Sequence, residues 1–305
     1  MKRIKVANSD LNVSEISLGC MRIAEMSNQA IATLIHTALD EGIDFFDHAD
    51  IYGGGQSEAK FSAALGMNPS LRERMLLQTK CGIRQGSFDF SKEHILSAVD
   101  GSLQRLRTDY VDVLLLHRPD ALVEPEEVAE AFTILESSGK VRHFGVSNQN
   151  PMQIELLRKY VKQPILFNQL QFSITNTGMI DAGINVNMEI DPSIDRDGSI
   201  LDYCRLNEIT IQPWSPFQYG FFEGVFLDND KFPELNQAID TLAAAKGVTN
   251  TAIAIAWILR HPARMQPIIG TTRPARVKEI CKASDITLTR QEWYAIYRAA
   301  GNKLP

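Results

Sequence analysis

Apolar runs alternate with amphipathic stretches from residue 16 almost to the end of the chain. Residues 27–41 place Ile31, Leu34, Ile35, Ala38 and Leu39 on one face at the i, i+3, i+4, i+7, i+8 spacing of a helix. Ser27 is positioned to cap its start, and Gly42 lies beyond its end. Val128, Ala131, Phe132 and Leu135 repeat the pattern ahead of Gly139, and Asn150-Pro151 supplies the cap and first-turn proline of a further helix. Between the helices, short runs at 16–18, 44–46, 76–79, 111–116, 142–146, 165–168, 210–213 and 267–269 read as strands. Their near-continuous apolar character suits parallel strands covered by helices. Eight βα units in 305 residues predict an α/β fold, a closed (β/α)8 TIM barrel forming one domain over 1–305.

An open doubly wound sheet would need a glycine-rich dinucleotide fingerprint after its first strand. That position reads Leu18-Gly19-Cys20-Met21-Arg22, and the Gly53-Gly54-Gly55 run lacks the lysine of a P-loop. Two long connections, 173–198 and 216–232, are expected as loops at the C-terminal face of the barrel. The second carries Phe217, Tyr219, Phe221, Phe222 and Phe226 and reads as a cover over a ligand.

Composition narrows the function classes. With 44% hydrophobic and 22% charged residues the chain can bury a large core, and its net charge of −6 argues against nucleic acid or an anionic membrane as partner. No run approaches the roughly 18 apolar residues of a membrane span, and the basic N-terminus lacks the apolar core of a signal peptide. Cys20, Cys81, Cys204 and Cys281 are scattered, so free thiols and a cytoplasmic location are expected. Nothing specifies an oligomer, and a monomer is the expectation.

In a barrel of this type, chemistry sits where strands end. The residues there include Gly19, Asp47-His48-Ala49-Asp50, Lys80, His117-Arg118, Ser147-Asn148, Gln169 and Trp214-Ser215. Taken singly, Lys80 reads as a solvated charge, Asp47 as a cap, Tyr52 as a packed loop ring and His117 as a core histidine. Convergence on one barrel mouth changes that reading. A tyrosine is a weak acid at neutral pH; a neighbouring ammonium, Lys80, lowers its pKa, and Asp47 orients the lysine. His117 can hydrogen-bond a carbonyl oxygen. Together they suit protonation of that oxygen while hydride reaches the adjacent carbon.

At these residues the chain resembles the aldo-keto reductase family. Gly42-Ile43-Asp44-Phe45-Phe46-Asp47-His48-Ala49-Asp50-Ile51-Tyr52-Gly53 resembles the family's G-x-x-x-x-D-x-A-x-x-Y-G signature, with Glu58 close behind. The resemblance implies a catalytic tetrad of Asp47, Tyr52, Lys80 and His117, and an enzyme reducing an aldehyde or ketone, a small-molecule carbonyl substrate. It also implies a nicotinamide site. Gly145-Val146-Ser147-Asn148 and Asn168-Gln169 match segments whose Ser, Asn and Gln hold the carboxamide, and Trp214-Ser215-Pro216 matches the segment that stacks an aromatic ring on the nicotinamide. Gly19, Met21 and Asp47 complete the nicotinamide end. Residues 270–279 resemble the 2′-phosphate and adenine site, where Gly270, Thr271, Thr272, Arg273, Arg276 and Glu279 make NADPH the expected cofactor over NADH. Gly270 stands where many members carry lysine, and Ile280 where asparagine is usual. His48 replaces the common Thr or Ser, and the Asp-His-Ala-Asp-Ile-Tyr-Gly and Leu-His-Arg-Pro-Asp runs look most like the bacterial YdhF-type branch. His48, Ile51, Arg118 and Phe217 are expected to wall the substrate pocket.

Two other readings compete. Asp47, His48, Asp50 and His117 at one mouth raise a metal-dependent hydrolase, but the remaining histidines, His36, His94, His143 and His261, are poorly placed to complete a ligand set, so no metal is expected. A non-catalytic NADP(H)-binding redox sensor or regulatory subunit is the alternative within the family.

Overall fold

The computed structural model describes residues 1–305. Its eight-stranded sheet is parallel throughout. We label the strands β1 (Ser17–Gly19), β2 (Phe45–Asp47), β3 (Leu76–Cys81), β4 (Val111–His117), β5 (Val141–Ser147), β6 (Ile165–Gln171), β7 (Thr210–Trp214) and β8 (Ile268–Ile269). They pair in sequence order from β1 to β7, and β8 returns to β1 through Ile268↔Ser17 and Ile269↔Leu18. The last seam, between β7 and β8, is joined by Gln266 N–H donating to Ile211 O at 2.9 Å rather than by a ladder. The sheet is thus nearly closed into the expected barrel, with helices between the strands.

All eight strands fall where the apolar runs place them. Most extend one to three residues further toward the mouth, so that Asp47, Lys80, His117, Ser147, Gln169 and Trp214 lie on strands. The helix at 27–41 spans Asn28–Asp40, with Ser27 accepting from Ala30 N–H, and Ile31, Leu34, Ile35 and Ala38 buried. Asn150 caps the Pro151–Arg158 helix through a reciprocal bond with Gln153. The stretches read as loops carry short elements of their own. Gly178–Ile184 is helical, and Gln218–Tyr219 pairs antiparallel with Gly224–Val225 in a small hairpin.

Period-two alternation divides each strand between two environments. Phe46, Leu114, Leu116 and Val146 pack outward in the main core of 64 buried residues, against the helices. Phe45, Val113, Leu115 and Phe167 face the barrel interior and pack with Ile4, Val6, Leu11 and Val13. Those four come from the N-terminal hairpin segment, in which Arg3–Lys5 pairs with Asn12–Ser14, and they plug the floor. Above this floor the inward positions turn polar. No single helix is long and apolar enough to cross a membrane; Pro233–Lys246 and Asn250–Leu259 reach the length only together, across a 95° bend.

Candidate active site

The inward phase of the strands builds the site. Two residues above Phe45 comes Asp47, two above Gln78 comes Lys80, two above Leu115 comes His117, and two above Phe167 comes Gln169. Lys80 is fully buried. Its ammonium donates to Asp47 Oδ2 at 2.8 Å, to His48 O at 2.8 Å and to Tyr52 Oη at 2.9 Å. Tyr52 sits on the loop after β2, and its ring meets that of His117 edge-on at 6.1 Å. Asp47 Oδ1 accepts from Gln78 Nε2 at 2.6 Å and from Gln169 Nε2 at 3.0 Å.

A chain of amides continues below Asp47. Gln212 Oε1 accepts from Gln78 at 2.9 Å and from Gln169 at 3.3 Å, Gln212 Nε2 donates to Gln266 Oε1 at 2.9 Å, and Gln266 Nε2 ends on Ser14 O at 2.7 Å. Gln78, Gln212 and Gln266 are fully buried. They were not among the sequence candidates: Gln78 and Gln212 lie on strands buried on both faces, which give no sign of which face a lone glutamine takes, and Gln266 precedes its strand. For Gln78 and Gln212, the phase shared with Lys80 and Trp214 was the available signal.

The electrostatics depart from the expectation for Tyr52. Burial raises its pKa above the ordinary value; Lys80 pulls it down, and Asp47 pushes it back up. The lysine's charge is offset by its own carboxylate partner, so in this site the phenol stays protonated at neutral pH. Burial opposes the charge on Lys80, but Asp47 and Tyr52 outweigh it and leave its pKa raised. Burial, with Lys80 and Arg118 nearby, holds His117 well below the usual imidazole value and hence neutral. Its Nδ1 is buried without a partner.

These groups open into a cavity of about 670 Å³ at the barrel mouth. Tyr52, His117 and Asp47 line it, and Lys80 lies beneath them. Of the residues expected to hold a cofactor, Gly19, Met21, Ser147, Asn148, Gln169, Trp214, Ser215, Pro216, Gly270, Thr271 and Arg276 line the same cavity. Thr272, Arg273 and Glu279 do not. Trp214 Nε1 donates to Asn148 Oδ1 at 3.2 Å, and Asn148 Nδ2 donates to Ser147 Oγ at 2.7 Å, so these three side chains form one wall. Phe222 stacks on Trp214 at 5.7 Å, which places the aromatic loop at the rim. Sequence reasoning missed Arg22, Gln218, Asp228 and Thr251, which also line the cavity and belong to no recognisable motif.

Of the residues expected to wall a substrate pocket, Ile51, Arg118 and Phe217 line this cavity and His48 does not. Asp47 takes the inward position, so its neighbour turns outward, where His48 is fully buried against Phe61 at 4.6 Å. Both its ring nitrogens lack partners, and burial, aided by Lys80, pushes its pKa down to about 3. No group of three or more His, Cys, Asp or Glu side chains is arranged to hold a metal ion.

Three non-glycine residues in left-handed backbone follow directly on strand ends: Arg118 (φ +88°) after β4, Asn148 (φ +56°) after β5 and Ser215 (φ +53°) after β7. Such conformations cost about 1–3 kcal/mol each and concentrate at functional sites. Here all three border the cavity.

The model of the aldo/keto reductase family matches residues 15–300. Among curated relatives, the oxidoreductase YcsN of Bacillus subtilis is 37% identical over 98% of each chain. A 6-dehydroglucose reductase of Novosphingobium aromaticivorans is 36% identical, covering 99% of this chain and 96% of its own, and oxidoreductase YdhF of Escherichia coli is 34% identical over 98% of each. An aldo-keto reductase from Klebsiella pneumoniae, solved with NADPH, superposes with a TM-score of 0.78 at 24% identity, over 97% of this chain and 94% of that one.

Proposed function

The chain belongs to the aldo/keto reductase family, and on that footing we propose that it is an NADPH-dependent reductase converting an aldehyde or ketone to an alcohol, with Tyr52 as proton donor. The observation that carries this reading is the fully buried Lys80, which holds Tyr52 Oη at 2.9 Å and Asp47 Oδ2 at 2.8 Å at the base of the cavity. Reduced nicotinamide, when bound, supplies hydride to the carbonyl carbon. The remaining work falls to this chain. His117, neutral under its burial, donates a hydrogen bond to the carbonyl oxygen and fixes it beside Tyr52. Tyr52 then gives its proton to that oxygen as charge develops there. Its raised pKa keeps the proton in place until then, and the Lys80 ammonium stabilises the phenolate that is left. Asp47 keeps the lysine charged, and the amides of Gln78 and Gln169 hold Asp47.

The cavity wall suits a dinucleotide. Asn148 and Gln169 present amides to the same cavity as Tyr52. Gln169 spends its Nε2 on Asp47 and Gln212, leaving its oxygen to accept from a carboxamide. Trp214 offers a ring for stacking. Farther along the cavity are Thr271 and Arg276, the latter in the first turn of the Pro274–Cys281 helix, a setting that favours an anion. Because a relative is named as a 6-dehydroglucose reductase, 6-dehydroglucose belongs in the first substrate screen.

Tyr52→Phe tests the reading. Carbonyl-dependent NADPH oxidation should fall by about 10²–10⁴-fold, while NADPH still quenches Trp214 fluorescence. Turnover equal to the parent enzyme would overturn the assignment. A slow single turnover of NADPH with no steady state in the parent would favour a sensor instead.

A further inference from the structure

Arg118 is a cation without an anion. It lines the cavity beside His117, yet none of its five N–H donors makes a hydrogen bond and it joins no ion pair. Its guanidinium lies 5.4 Å from the Trp214 ring centroid and 5.9 Å from that of Phe221. Cation–π contacts can hold such a head in place, but they leave its hydrogen-bonding edge unused. The backbone beneath it is strained, at φ +88°. Neither carboxylate lining the cavity satisfies it. Asp47 is taken by Lys80, and Asp228 accepts from Asn250 Nδ2 at 3.0 Å.

Its place in the cavity shows which ligand would use it. Arg118 directly follows His117, whose ring meets that of Tyr52 edge-on, and all three line the same cavity, so it belongs to the reacting end. Arg276 and Thr271 come from the segment after β8 and serve a different stretch of the cavity wall. An unused planar fork, half-buried and backed by aromatic rings, matches a carboxylate accepting two parallel hydrogen bonds.

Resting on the reductase reading, we propose that Arg118 anchors a carboxylate on the carbonyl substrate, so that this enzyme reduces aldehydes or ketones that carry an acid group. Trp214 and Phe221 hold the guanidinium ready, while Tyr52 and His117 address the carbonyl at the other end of the same molecule.

The test compares 4-carboxybenzaldehyde with its methyl ester, and succinic semialdehyde with its methyl ester, in NADPH-oxidation assays of the parent, Arg118→Leu and Arg118→Lys. The parent should favour each acid over its ester in kcat/KM. Arg118→Leu should lower that ratio by on the order of 10- to 100-fold, mainly through KM, and Arg118→Lys should retain part of the preference. An acid-to-ester ratio that Arg118→Leu leaves unchanged would overturn the proposal. A readout without turnover accompanies it: benzoate, but not methyl benzoate, should change Trp214 fluorescence in the parent, weaken with added salt and be lost in Arg118→Leu. Equal responses to both compounds would also overturn it. Arg118-dependent benzoate binding with no turnover of any carbonyl would sink the reductase reading alone, and turnover with an unaltered ratio would sink the carboxylate anchor alone.

Discussion

Replacing Lys80 by methionine separates the structural from the chemical role of the buried pair. The two side chains are 0% and 3% exposed, with 2.8 Å between Nζ and Oδ2. After Lys80→Met, Asp47 keeps its Oδ1 bonds from Gln78 and Gln169, but Oδ2 loses its donor on a side chain only 3% exposed. Breaking a buried pair from one side costs about 3–5 kcal/mol, because the remaining charge is uncompensated. At ~2.1 cal/mol/K of unfolding entropy per residue, a chain of this length loses about 1.6 °C of Tm per kcal/mol, so Tm should fall by about 5–8 °C. Asp47→Asn should also destabilise, since it leaves the Lys80 ammonium buried without its countercharge. The double variant buries no charge at all and should recover part of the loss, with a coupling of about 0.5–3 kcal/mol. Calorimetry and denaturant unfolding of the four proteins measure this cycle. Additive losses, or a Lys80→Met cost under about 1 kcal/mol, would refute the reasoning. Reduction rates supply the contrast. Part of the stability should return in the double variant while turnover does not, because no ammonium is left to stabilise the Tyr52 phenolate. Turnover that returned along with stability would reduce the pair to a packing element.

Two further outcomes follow from the same geometry. His48 is held near pKa 3, so the unfolded chain takes up its proton first as pH falls below about 6.5, and folding weakens from there down to about pH 3. Its share of the loss is about 2 kcal/mol at pH 5 relative to neutral pH. His48→Leu should flatten the stability profile over that window, and an unaltered slope would show that the ring is not held neutral. Gly145→Ala, in β5 just below Ser147, would put a Cβ 2.6 Å from Leu115 Cδ2 and 2.8 Å from Phe167 O. The carbonyl cannot yield, so a loss of about 1–3 kcal/mol is expected by denaturant unfolding; parent-like stability would mean that the β5–β6 spacing is looser than described.

How much of this was legible in the sequence depended on strand phase. The apolar runs located every barrel strand, because parallel strands sandwiched between helices and a packed interior are apolar on both faces. The same property hid the strand ends. Where inward positions turn polar, the runs appear to stop, and so Lys80, Ser147 and Gln169 read as following their strands when they lie on them. Phase also separates the correct pocket residue from the wrong one. Asp47 and His48 are equally polar neighbours at one strand end, but only the residue in step with Phe45 faces the interior, and His48 is left against Phe61. Read forward, the rule reaches residues that no motif names. Gln78 is in step with Lys80, and Gln212 with Trp214, which places both amides inside the barrel, where Gln78 donates to Asp47 and to Gln212. Asp228 and Thr251 obey no such rule, since one sits in the aromatic loop region and the other on a helix, and only the folded chain brings them to the cavity. The strand-borne half of this site was therefore encoded in a two-residue repeat. The half borne by loops and helices was not, because its residues meet the cavity through long-range packing that leaves no periodic trace.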